Sequence, residues 1–147
     1  MQPTNSLNAP VNYHSKIADI VTRMIELQQI INDHLSDTQL RHLAVLRASQ
    51  INRCGFCVKM HSEEARNDGE TSERLDHLVV WQQVDDFSDA EKAMLAWVEA
   101  LTHIKPETDY GILRARLRQY YSDQEIAAYT AATGMINFWN RMQISEH

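Results

Sequence analysis

Apolar residues recur along this chain at the three- and four-residue spacing of amphipathic helices, and polar stretches separate the segments. Residues 1–13 carry Pro3 and Pro10 among polar residues and are predicted to be a mobile lead segment. The first helical segment follows, with its apolar face made of Ile17, Ile20, Val21, Met24, Leu27 and Ile31. We expect this face to be buried.

Polar signals mark where the helices start and stop. A Ser or Thr three residues before a Glu or Gln is a capping box, and three such pairs precede apolar runs: Ser36 and Gln39, Ser88 and Glu91, and Ser122 and Glu125. Gly69 and Pro106 are stop signals. Further helices are predicted from Cys54 to Ala65, from about Ser72 to Trp81 and from Asp109 to Tyr121.

No segment shows the sustained period-two alternation of a strand, so the pattern predicts an all-α fold of about seven helices. The 147 residues include 44% hydrophobic residues but only 4 Gly and 3 Pro, a composition typical of a helical globular protein. This length is enough for one hydrophobic core. We therefore predict a single domain over residues 14–147.

The charge and the apolar pattern exclude several classes of function. The chain has 14 Lys and Arg against 20 Asp and Glu, and its net charge of -6 disfavours nucleic acid as a partner. No apolar run approaches the ~20 residues that span a membrane, and the first ten residues do not resemble a signal peptide. A cytoplasmic protein without a membrane partner is expected.

The two cysteines belong to one short motif, Cys54-Gly55-Phe56-Cys57-Val58-Lys59-Met60-His61. Positions i, i+3 and i+7 share one face of a helix, so both thiols and the imidazole are predicted to lie together at the start of the third predicted helix. His61 follows Cys57 by one turn and is placed to take its proton. The motif therefore predicts a thiolate at neutral pH.

A thiolate that attacks a peroxide becomes a sulfenic acid, and a neighbouring thiol condenses with that acid to form a disulfide. We assign the attack to Cys57, which is beside the base, and the resolving role to Cys54, which is expected nearer the surface. The reverse assignment stays open, because periodicity does not show which sulfur is exposed.

Other interpretations of the motif carry less weight. Two buried cysteines can be inert apolar residues, but Arg53, Lys59 and His61 make this surrounding polar. A zinc site needs two ligands beyond Cys54 and Cys57, and His61 and His42 are the candidates. A general dithiol–disulfide oxidoreductase and a redox sensor without turnover would use the same cysteine pair.

These residues resemble the alkylhydroperoxidase D-like branch of the carboxymuconolactone decarboxylase superfamily. The likeness spans about residues 40–144 and rests on the segment before Cys54, the cysteine motif itself and the segment 136–141. It implies a helical homo-oligomer that reduces a hydroperoxide, is regenerated by a dithiol reductant and needs no organic cofactor. It also implies that Cys57 is peroxidatic, that Cys54 resolves it and that His61 belongs to a proton relay.

One position departs from the family pattern. The family has a glutamate twelve residues before the first cysteine, where this chain has His42. A second imidazole holds a neighbouring imidazolium less well than a carboxylate does. We therefore expect His42 to be a second relay member, with weaker activity or a shifted pH dependence.

Overall fold

The computed structural model describes residues 7–146, and within that range it contains only helices and loops, which confirms the all-α prediction. The α-helices are α1 (Tyr13–Lys16), α2 (Ala18–Asp33), α3 (Thr38–Ile51), α4 (Gly55–Asn67), α5 (Ser72–His77), α6 (Asp89–Thr102), α7 (Tyr110–Leu117) and α8 (Asp123–Ser145). A 3-10 helix, Leu78–Gln83, follows α5. Residues 1–6 of the predicted lead segment and His147 lie outside the described range.

Helices α2 to α8 correspond in order to the seven helices that the sequence predicts. The addition is α1, a single turn of four residues, so the cysteine motif starts the fourth helix and not the third. No helix within residues 7–146 combines the length and apolarity that crossing a membrane requires.

The predicted caps are right at two helices and wrong at one. Ser88 and Ser122 each form a complete capping box with the glutamate three residues on. At α3 the N-cap is Asp37, whose carboxylate accepts a hydrogen bond from the Leu40 backbone N–H at 3.0 Å. Ser36 and Asp37 are both good N-caps, and the spacing rule chose the wrong one of the two.

Helix α3 is the centre of the fold, because it packs against α4, α6 and α8. One face of α3 joins a large core with Met94 and Val98 of α6 and Ile136 of α8. The opposite face joins a smaller core with Ala65 of α4 and Leu78 of the 3-10 helix. A helix that is buried on both faces has little freedom to shift or rotate, so its two ends are fixed reference points for the neighbouring turns.

The turn between α3 and α4 is a Schellman motif. The backbone N–H of Arg53 donates to the Gln50 carbonyl at 3.1 Å, and that of Cys54 donates to the Ser49 carbonyl at 3.0 Å. Arg53 occupies the left-handed region with φ 56°, where a glycine is usual. The motif brings the chain out of α3 and directly into the first turn of α4.

Side-chain amides of α8, from the half-buried Asn137 and the buried Asn140, hold this turn from the other side. The Asn52 side-chain amide donates to the side-chain oxygens of Asn137, at 2.8 Å, and Asn140, at 3.0 Å. Asn140 in turn donates to the Ser49 hydroxyl at 3.0 Å, and both of these residues are fully buried. Asn137 and Asn140, whose role the sequence leaves open, thus have buried polar partners and position the turn before the cysteines.

The substitution Asn140→Ala should lower the free energy of unfolding by about 2 kcal/mol, because it leaves the buried Ser49 hydroxyl without its donor and removes one acceptor of Asn52. Denaturant unfolding followed by circular dichroism measures the loss. The control is Gln124→Ala, an exposed position near the start of the same helix. Equal unfolding midpoints for the two variants would contradict a supporting role for the amide network.

Candidate active site

Cys54 and Cys57 lie in the first turn of α4 and are joined by a disulfide, with their Cα atoms 5.3 Å apart. Cys54 is the N-cap, and its sulfur accepts a hydrogen bond from the Cys57 backbone N–H at 3.3 Å. The prediction that Cys54 is nearer the surface is wrong, since each cysteine is only 1% exposed. Helical spacing shows which face a residue occupies and not how deeply the residue is buried.

A cavity of about 400 Å³ borders one of the two cysteines. Its apolar lining is formed by Ile25, Val45, Phe56, Met60, Ile136 and Trp139, from α2, α3, α4 and α8. Cys57, His61 and His42 also line it, and Cys54 does not. The structure therefore brings three of the four residues expected at the site to one cavity and places the fourth directly behind Cys57.

His61 lies beside a carboxylate from its own helix, with 14% of its side chain exposed. Its Nδ1 atom lies 3.1 Å from the Glu64 carboxylate, one turn further along α4. Burial lowers the pKa of His61 below its ordinary value of 6.5, Glu64 opposes this shift, and the charges of His42 and Arg41 add to it. The imidazole is therefore neutral at pH 7, the form that accepts a proton.

His42 is also paired with a carboxylate, which comes from the far end of α4. Its Nε2 atom lies 2.5 Å from the carboxylate of Asp68, the C-cap of that helix. His42 is 4% exposed, whereas the Asp68 side chain is 46% exposed. Sequence reasoning missed Asp68, because its 26-residue separation from His42 matches no local spacing rule.

Comparisons with known proteins identify the family to which the chain belongs. The sequence profile of the carboxymuconolactone decarboxylase family matches residues 19–100, which include both histidines and both cysteines of the site. The chain belongs to this family. The uncharacterised YdfG of Bacillus subtilis is 30% identical to it over 135 residues, which are 92% of each chain.

Solved structures of similar proteins share this fold. A protein of unknown function from Agrobacterium tumefaciens, proposed to be the antioxidant defence protein AhpD, is 33% identical to this chain. It superposes with a TM-score of 0.88 over 94% of both chains. The debrominase Bmp8, solved in complex with 2,3,4-tribromopyrrole, has a TM-score of 0.70 over 97% of this chain and 90% of its own, at 18% identity. That similarity concerns the fold alone.

In this member of the carboxymuconolactone decarboxylase family, the two cysteines are bridged to each other, and a group of possible metal donors lies elsewhere. Over residues 7–146, the group of three donor atoms close enough to share an ion is Glu73, His77 and Asp86, within 4.8 Å of one another. That group lies outside the cavity and includes neither cysteine. The ligand set considered from the sequence, which adds His42 and His61 to the cysteines, does not form such a group.

His61 and His77 of this family member are each paired with a carboxylate, and they should titrate on opposite sides of pH 6.5. Burial lowers the pKa of His61, whereas the hydrogen bond with Asp86 raises the pKa of the half-buried His77. As the pH falls, His77 should therefore take up its proton before His61. Two-dimensional NMR of the ring protons measures both midpoints, with His61→Gln and His77→Gln for assignment. A His61 midpoint above that of His77 would contradict the described burial.

Proposed function

We propose that this protein is a thiol peroxidase that reduces organic hydroperoxides, with Cys57 as the attacking sulfur and Cys54 as the resolving one. The observation that carries the proposal is that Cys57 borders a cavity together with two imidazoles while its disulfide partner lies behind it. A nucleophile, a base and a trap for the oxidised sulfur are the groups that peroxide reduction by a dithiol requires.

The start of α4 supports a thiolate at Cys57 in the reduced protein. Free backbone N–H groups and the positive end of the helix dipole act on the first turn, where both cysteines lie. His61, one turn further on and neutral at pH 7, accepts the thiol proton directly or through a water. Both effects favour the charged sulfur over the thiol.

The reaction then proceeds in three balanced steps. The Cys57 thiolate attacks the terminal oxygen of ROOH, the O–O bond breaks, and the departing alkoxide takes the stored proton and leaves as ROH. The Cys54 thiol displaces water from the Cys57 sulfenic acid and forms the disulfide. A dithiol reductant then restores both thiols by exchange, and we expect it to attack Cys57, the sulfur that borders the cavity.

The peroxidase assignment predicts different behaviour for the two cysteine variants. Cys57→Ser should lower the rate of hydroperoxide consumption by more than about a thousandfold, because it removes the nucleophile. Cys54→Ser should consume about one equivalent and stop, with a sulfenic acid at Cys57 that dimedone labels. Peroxide consumption and mass spectrometry measure both outcomes.

Two results would count against this assignment. Wild-type turnover by Cys57→Ser would remove Cys57 from the attacking role. A wild-type protein that reduces a low-molecular-weight disulfide much faster than any hydroperoxide would instead be a general dithiol–disulfide oxidoreductase, the rival that uses the same cysteine pair.

The apolar lining predicts the preferred substrate. Cumene hydroperoxide should have a kcat/KM at least about tenfold above that of hydrogen peroxide, because its aromatic ring buries apolar surface in the cavity. Met60→Gln, which makes the lining more polar at nearly constant length, should reduce this preference. The control Val79→Gln, at a position that is 57% exposed and outside the cavity, should retain it. Equal kcat/KM values for both peroxides would contradict the substrate class.

A further inference from the structure

The hydrogen-bonded pair of His42 and Asp68 has no role in the three reaction steps of the cysteines. His42 belongs to the central helix α3 and is buried, and its Nε2 atom is 2.5 Å from an Asp68 carboxylate oxygen. Its other nitrogen, Nδ1, has no hydrogen-bond partner among the side chains and backbone of residues 7–146, while the ring lines the cavity. Nε2 is thus fixed by Asp68, and Nδ1 is free to form a hydrogen bond with a group in the cavity.

The Asp68 carboxylate determines the tautomer of neutral His42. A carboxylate accepts hydrogen bonds, so the proton of neutral His42 resides on Nε2 and points at Asp68. Nδ1 then carries a lone pair and acts as a proton acceptor. A proton that arrives there produces an imidazolium next to a carboxylate, which stabilises it.

The end of α4 holds Asp68 in place for this contact. The backbone N–H of Gly69 donates to the Arg66 carbonyl at 3.1 Å, and that of Glu70 donates to the Ala65 carbonyl at 2.9 Å, which is a second Schellman motif. Gly69 has φ 97°, a backbone conformation that residues with a side chain rarely adopt. This turn defines where the C-cap residue Asp68 lies relative to α3.

Resting on the proposed function, we propose that Asp68 is a positioning residue that makes His42 a second proton acceptor of the active-site cavity. The carboxylate that the family pattern places at position 42 is then supplied by Asp68 and acts through the His42 ring. In this assignment His42 accepts the proton itself, and Asp68 acts only by positioning and charging the environment of the His42 ring.

The spacing along α4 places the pair at the far end of a proton path. Asp68 is eleven residues beyond Cys57, or about 16 Å along the helix axis, and His61 is about 6 Å along the same path. The proton leaves the Cys57 thiol for His61 and moves through a cavity water to Nδ1 of His42. It remains on the ring beside Asp68 until the departing alkoxide takes it back, so no proton is gained or lost.

The titratable and charged groups that face the cavity are few. Helix α3 contributes Arg41 and His42, and α4 contributes Cys57, His61 and Glu64, with Asp68 behind His42. The lining residues from α2 and α8 are apolar or amides. Arg41 and a proton held on His42 both favour a thiolate at Cys57, whereas the negative charges of Glu64 and Asp68 oppose it. The loss of Asp68 should still disfavour the thiolate, because the ring that accepts the thiol proton loses a carboxylate at 2.5 Å, whereas the charge removed is partly exposed and far from Cys57.

The test measures thiolate formation without any peroxide. In reduced Cys54→Ser protein, whose serine retains the capping role at α4, the rate of Cys57 alkylation by iodoacetamide is followed against pH. Asp68→Asn should move the midpoint of this profile upward by about one pH unit, because the charged hydrogen bond that holds the thiol proton on His42 is lost. The matched control is Glu63→Gln, which removes an exposed charge from the same helix and should leave the midpoint unchanged.

A double-variant comparison separates this role from a merely structural one. His42→Gln should raise the midpoint in the same direction, and Asp68→Asn should add nothing once His42 is absent, because Asp68 acts through that ring. Three results would overturn the proposal: no shift in Asp68→Asn, an equal shift in Glu63→Gln, or a shift in Asp68→Asn that persists in the His42→Gln background. Thermal unfolding verifies that each variant is folded.

The same experiment distinguishes the two proposals. If the predicted shifts occur in a protein whose wild type does not turn over hydroperoxide, the proton acceptor stands and the peroxidase assignment fails. If the wild type turns over hydroperoxide but its alkylation profile is insensitive to Asp68, the peroxidase assignment stands and the role of Asp68 is only structural.

Discussion

The candidate site depends on one backbone constraint, the hydrogen bond from the Cys54 N–H to the Ser49 carbonyl. Through it, Cys54 completes the end of α3 and at the same time caps the start of α4. The chain has no loop between the two helices in which the cysteine motif could adjust. Because α3 is buried on both faces, this bond transmits the position of the core directly to the disulfide.

Polar groups reinforce that constraint where an apolar core alone would not. Ser49 and Asn140 are fully buried, and each has a hydrogen-bond partner, so a shift of α8 against α3 would leave polar atoms unpaired. Apolar packing tolerates small sliding motions, whereas hydrogen bonds of this kind specify one register. The amides of α8 therefore stabilise a particular placement of the turn before Cys54, and the strained φ of Arg53 is tolerated because the placement is so well determined.

Local rules predicted what depends on local spacing. The seven longer helical segments, two of three capping boxes and the shared position of Cys57 and His61 follow from residues three to seven apart. What sequence reasoning missed depends on contacts between distant segments. The burial of Cys54 comes from packing at the start of α4, and the partner of His42 comes from a residue 26 positions away. Periodicity assigns a face, and only the packing of helices assigns depth and partners.

His42 and His61 line the same cavity, and the charge of one ring affects the pKa of the other. A positive charge on His42 lowers the pKa of His61, so protonation of one ring disfavours protonation of the other. Each ring also has its own carboxylate, Asp68 for His42 and Glu64 for His61. The proposed reaction needs only one stored proton, because one proton is what the thiol releases and the departing alkoxide requires. In the proposed relay, the replacement of a carboxylate by His42 therefore changes where the proton is held and leaves the number of stored protons unchanged.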